Sequence, residues 1–138
     1  MITEKQERIK EYIKNYILQP LMILRVNLIK MKDLKNVIYV QGKINQLKEF
    51  PPKISRQNFF KVLLNDLKKL QFSPGQKGLK NLVGIIFTLA QNTDKIISLE
   101  NKLDNKNILD ENKIQNQIEI EKTKLDKIIK QHNLIINS

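Results

Sequence analysis

The chain has 138 residues, 41% of them hydrophobic and 28% charged, with a formal net charge of +11; this composition suits one globular domain and excludes a disordered tail. Cysteine is absent, which removes disulfide frameworks and thiolate metal sites and fits a reducing compartment. The longest apolar stretch, LVGIIFTLA at 82–90, is less than half of the roughly 20 residues that cross a bilayer.

The first residues, MITEKQERIKEY, mix Glu4, Glu7 and Glu11 with lysines, unlike a secretory signal or a transit peptide. A soluble protein of the cytoplasm or an organelle matrix is expected. Thr3 followed by Gln6 forms a capping-box pattern, and Ile9, Ile13, Tyr16 and Ile17 fall at helical spacing. Residues 4–18 therefore read as an amphipathic helix, which Pro20 ends or kinks.

The stretch that follows reads two ways. LRVNL at 24–28 alternates apolar and polar residues, and NVIYVQGKI at 36–44 is dense in β-branched and aromatic residues. These favour a β-hairpin of about 22–30 and 37–45, with KMKDLKN as its loop. Leu24, Leu28, Met31, Leu34 and Ile38 also fit a 3.6-residue period, but Gly42 weakens that helical alternative.

EFPPK at 49–53 is a firm break, since two prolines remove two donors and fix extended backbone. Ser55 then caps a helix over 55–71 with a stripe of Phe59, Val62, Leu63, Leu67 and Leu70, interrupted by Asp66. FSPGQKG closes it. Leu79, Leu82, Val83, Ile86, Leu89, Ala90, Thr93, Ile97 and Leu103 keep steps of three and four, predicting a long helix over 77–104.

DNKN at 104–107 is its stop, and Asp110 caps a last helix through about residue 134. There Ile114, Ile118, Leu125, Ile128 and Ile135 take seam-like positions, while Glu121 and His132 stand where apolar residues would be expected. The expected architecture is mainly α: an N-terminal helix, a small β-hairpin at 22–45, then three helices. The last two would form an antiparallel helical hairpin or short coiled coil.

Charge divides the chain. Residues 1–50 carry 10 basic and 5 acidic side chains, 51–93 carry 7 basic and only Asp66, and 94–138 carry 8 of each. The expected organisation is thus a basic body, 1–93, and a charge-neutral C-terminal arm, 94–138, that continues the 77–104 helix. The 22 Lys, 21 Ile and 15 Asn have A/T-rich codons, so an AT-rich genome would inflate lysine; arginine, the better bidentate phosphate ligand, numbers only 3. Such bias acts along the whole chain, however, and the basic excess stops at Thr93.

SPGQKGLK at 73–80 is no nucleotide loop: Gly78 is followed by Leu79 and Lys80, without the Gly-Lys step or the hydroxyl that holds magnesium. What survives is a helix start beside Lys77 and Lys80 able to hold one backbone phosphate. His132 is the sole histidine, the four serines have no other imidazole to activate them, and no His or Cys cluster suits a metal. Acidic pairs such as Asp110–Glu111 and Glu119/Glu121 read as a solvated helix face. No enzyme, cofactor or metal is expected.

The basic residues offer more. Lys30, Lys32 and Lys35 crowd the expected hairpin tip, Lys53, Arg56, Lys61, Lys68 and Lys69 surround the 55–71 helix, and Lys77 and Lys80 add a third group. Together they would contact phosphates without reading bases, while Phe59, Phe60 and Phe72 would be core or stack on bases. The leading expectation is a non-catalytic basic subunit of a nucleoprotein assembly, with RNA as the first choice of nucleic acid. A neighbouring protein would dock on Ile114, Ile118, Leu125 and Ile128 of the C-terminal arm. The alternatives are a protein–protein adaptor working through its C-terminal helical hairpin, and a small viral or mobile-element inhibitor.

Overall fold

A computed structural model of the chain describes residues 3–49, 58–103 and 108–135. Helix α1 (Glu4–Ile13) starts where Thr3 and Gln6 cap each other: the Gln6 amide donates to Thr3 Oγ1 at 3.1 Å and the Thr3 amide to Gln6 Oε1 at 3.0 Å. Ile9, Tyr12 and Ile13 bury its inner face.

Pro20 does not end this helix. A π-turn (Lys14–Leu18) leads directly into α2 (Gln19–Lys30), with Pro20 in the first turn of α2. Proline has no N–H and its ring collides with a carbonyl four residues back. In the π-turn the Gln19 amide reaches back five residues to the Lys14 carbonyl, so the hydrogen-bond ladder is already offset where the proline enters.

The β-hairpin expected at 22–45 is replaced by two helices, α2 and α3 (Leu34–Glu49), and no strand occurs among the described residues. Burial explains the outcome. Leu21, Leu24 and Leu28 on α2, and Val40, Ile44 and Leu47 on α3, all enter the core. Their spacing of three and four fills one helical face, whereas a two-stranded ribbon would leave half of them in water and has no third strand to pair with. Asp33 supplies the start signal for α3, since its Oδ1 accepts from the Asn36 amide at 3.3 Å. Gly42 sits exposed on α3 with open space around its Cα, so it weakens the helix without breaking it.

The helix expected over 55–71 is shorter and changes pitch. Helix α4 (Phe59–Leu63) is followed by a 3₁₀ turn (Asn65–Lys69), and the expected Ser55 cap lies outside the described residues. A three-residue period brings Leu64, Leu67 and Leu70 to one side. Leu64 and Leu67 are fully buried, and the expected stripe member Val62 is exposed instead. A second 3₁₀ turn (Pro74–Gln76) opens α5 (Lys77–Lys102), whose buried face holds every expected residue from Leu79 to Ile97. Helix α6 (Ile108–Gln131) begins two residues before Asp110, which lies in the first turn, where a carboxylate complements the helix dipole, and not at the cap.

Helix α5 is the centre of the packing, touching α1, the π-turn, α2, α4 and α6. One core cluster runs from Ile9 to Leu134, so residues on both sides of Thr93 share it, and Thr93 itself is buried. Among the described residues three carboxylates are also buried, and each has partners. Glu100 Oε2 accepts from Arg8 Nε at 2.7 Å and from the Tyr12 hydroxyl at 3.2 Å. Asp94 takes the Phe60 amide on Oδ1 at 2.9 Å and the Lys61 amide on Oδ2 at 3.0 Å, and so caps α4 from a neighbouring helix. Burial pushes the Asp94 carboxyl above its ordinary range, while those amides pull it down. Glu121, expected on a solvated face, is buried between Lys95 at 3.0 Å and Lys124 at 3.5 Å.

Two outcomes follow for stability, both readable from urea or thermal unfolding. Gly42→Ala raises stability by about 0.5–1 kcal/mol, because the helix gains propensity and the new methyl meets nothing within 4 Å. Asp94→Ala lowers it by about 1–3 kcal/mol, because two amides at the start of α4 lose their acceptors.

Candidate nucleic-acid interface

The turn between α2 and α3 is short and tight. Lys32 lies at φ 59°, in the left-handed region, and Asp33 follows it with its backbone amide on the Leu28 carbonyl at 3.0 Å. The Asp33 carboxylate then serves two elements at once. Besides capping α3, its Oδ2 accepts from Asn36 Nδ2 at 2.7 Å and from Gln76 Nε2 at 2.9 Å. Gln76 is buried and belongs to the 3₁₀ turn before α5. Its other amide atom, Oε1, accepts from the Ser73 amide at 2.9 Å.

This Asp33–Gln76 bridge ties the α2–α3 turn to the start of α5. It gathers basic groups that are more than forty positions apart in the chain. Lys30, Lys32 and Lys35 flank the turn, Lys77 and Lys80 follow Gln76, and all five are exposed. Lys35 and Lys69 line one cleft of 630 Å³, together with Asp33, Asn36, Tyr39, Asp66, Leu70 and Gln71. Lys69 lies 3.9 Å from Asp66, which also meets Lys43 at 3.7 Å.

The hydrogen bond from Gln76, and those from Asn36, hold the Asp33 carboxyl below its ordinary value of 3.8. The amides stabilise its negative charge, and nearby Lys35 adds to the same effect. Among the described residues no carboxylate forms an ion pair with Lys30, Lys32, Lys35, Lys77 or Lys80.

The remaining expected residues are placed elsewhere. Lys61 is exposed on α4, and Lys68 holds its ammonium 4.8 Å from the centre of the Phe87 ring on α5. Lys53 and Arg56 lie outside the described residues. Phe60 is fully buried and packs edge-on against Phe59 at 5.2 Å, so neither offers a free stacking face; Phe72 is half-buried. The loop 73–80 is not an open cradle of amides: Ser73 and Gln76 cap each other, and Pro74 has no N–H to offer.

Of the expected partner-binding residues, Ile118 and Leu125 are buried in the chain's own core, and Ile114 and Ile128 are half-buried against it. The seam of α6 faces inward. His132 is exposed just past α6, and among the described residues no group of three His, Cys, Asp or Glu side chains is arranged to hold a metal.

Gln76 is the bridging residue that sequence reading passed over. Its signal was present as the S-x-x-Q capping pattern of Ser73 and Gln76, but its contact with Asp33 has no local trace. Compared with protein-family models, curated proteins and solved structures, the chain matches none.

Asp33 gives this end of the molecule a pH dependence of definite sign. Its folded-state value is lowered, so its contribution is complete above the unfolded value near 3.8 and fades as pH falls below it. Thermal melts of the native chain and Asp33→Asn should differ most above pH 4 and converge on acidification below that.

Proposed function

We propose that this chain is a non-catalytic, basic helical subunit of a nucleoprotein assembly that holds nucleic-acid backbone, RNA foremost, at its lysine-rich end. One observation carries the reading: the Asp33–Gln76 bridge draws Lys32, Lys35, Lys77 and Lys80 to one end and engages the local carboxylate within it. Lysine ammoniums are point charges suited to phosphate contact, and they do not read bases. On this reading α5 and α6 form an antiparallel helical hairpin that braces the basic end, and a neighbouring protein meets its outer side. The protein works in a reducing aqueous compartment, and among its described residues no helix is long and apolar enough to cross a membrane.

A second reading draws on a different observation, the exposed apolar side chains of α2 and α3. It is an interaction module without nucleic acid, whose lysine content reflects codon usage.

The test is fluorescence anisotropy with unrelated single- and double-stranded RNA and DNA across a salt series. A variant with Lys32, Lys35, Lys77 and Lys80 changed to Gln is measured alongside, and its fold is checked by circular dichroism. The native chain should bind with log affinity falling linearly in log salt. The variant should lose affinity for every sequence alike, and its slope should be shallower by roughly 3. Absence of binding by the native chain at low salt, or an unchanged slope in the variant, overturns the proposal.

A further inference from the structure

Large aliphatic side chains stand in solvent on one side of the α2–α3 pair. Ile29 is 51% exposed, Leu34 68% and Ile38 73%, and Val26 and Met31 are also exposed. Helical geometry puts them on a common face. Arg25 Nη1 donates to Gln41 Oε1, which marks the flanks by which α2 and α3 meet. Met22, Val26 and Ile29 are spaced four and three apart along α2, with Met22 and Ile29 three and four positions from Arg25, and Leu34 and Ile38 lie seven and three before Gln41. Two aliphatic rows therefore run side by side with a seam between them.

The chemistry around the rows is mainly positive. Asp33 is the single acidic residue between positions 12 and 48, against seven basic ones, and its carboxylate is engaged by Asn36 and Gln76. Exposed Lys30 follows Ile29, exposed Lys35 follows Leu34, and exposed Lys32 sits in the turn. In the seam, Arg25 Nε has no acceptor among the described residues. An apolar patch of this kind with a polar rim marks an interaction site, since monomers leave such patches small.

We infer that the outer face of α2 and α3 docks an amphipathic helix of a partner protein whose apolar stripe is flanked by carboxylates. Two parallel ridges with a groove between them accept a third helix by ridges-into-grooves packing. The lysine rim selects its charge and steers its approach. A second copy of this chain pairing through the same face fits poorly, because that face brings no carboxylates to the lysine rim beyond Asp33. A lipid surface fits less well than a helix, because the exposed residues are aliphatic, without the aromatics of interfacial anchors.

The probes are two synthetic amphipathic peptides with one leucine stripe, flanked by glutamates in the first and by lysines in the second. Binding of each to the full chain is measured by anisotropy. The glutamate peptide should bind at least about tenfold more tightly than the lysine peptide, and Ile29→Asp with Ile38→Asp should weaken it by about tenfold or more. Ile120→Asp, at an exposed isoleucine on α6, should leave binding unchanged. So should Lys77→Gln with Lys80→Gln, which separates this face from the nucleic-acid reading.

Equal binding of the two peptides, no binding of either, or indifference to the Ile29/Ile38 substitutions overturns the inference. It is also overturned if sedimentation shows a dimer that those substitutions dissolve. Flotation with phosphatidylserine vesicles that depends on the same two isoleucines, without peptide binding, assigns the face to lipid instead.

Discussion

A carboxylate taken out of water must be given donors or cations, and that requirement organises this molecule around α5. Asp94 and Glu100 lie on its inner side six positions apart. Glu100 is met by Arg8 and Tyr12, which sets α1 against α5. Asp94 is met by two backbone amides, which sets the start of α4. Glu121 of α6 is met from α5 by Lys95. Three neighbours are thus positioned on the central helix by charge-assisted hydrogen bonds, which are roughly twice as strong as neutral ones. The apolar stripe supplies the bulk of the burial, and the carboxylates decide which residue meets which.

The same logic operates at the basic end with the opposite consequence. There a carboxylate is satisfied by amides and not by cations. Asp33 accepts from Asn36 and Gln76, so it binds two segments together without drawing a lysine into the bridge. The positive end is therefore a product of which segments the bridge brings together, as much as of how many lysines the chain contains.

The two exposed features of the molecule adjoin one another. Lys30, Lys32 and Lys35 belong to the basic end and also border the aliphatic rows of α2 and α3. An acidic helix seated on those rows would draw on the charge that attracts phosphate. If both proposals hold, the two partners would be coupled through these shared lysines, without any change of shape.

What the amino-acid order determined by itself was the helical character of the long amphipathic stretch, because α5 buries residues at steps of three and four and needs no other part of the chain to make that pattern visible. Leu79 to Ile97 were legible for this reason, as was the capping of Thr3 by Gln6. The stretch 22–45 was not legible, because β-branched residues suit a strand locally while Leu21, Leu24, Leu28, Val40, Ile44 and Leu47 suit a helix only when α2 and α3 pack on each other and α2 packs on α5. Pro20, expected to end or kink the first helix, does not end it: a π-turn one step earlier carries the chain on into α2, and nothing in the local residues announces that turn. Only the tertiary structure decided that Glu121 is buried, that the α6 seam faces inward, and that Gln76 reaches Asp33. Each of these is a contact between residues far apart in the chain, and side-chain chemistry alone does not state which of many possible partners the packing will bring within reach.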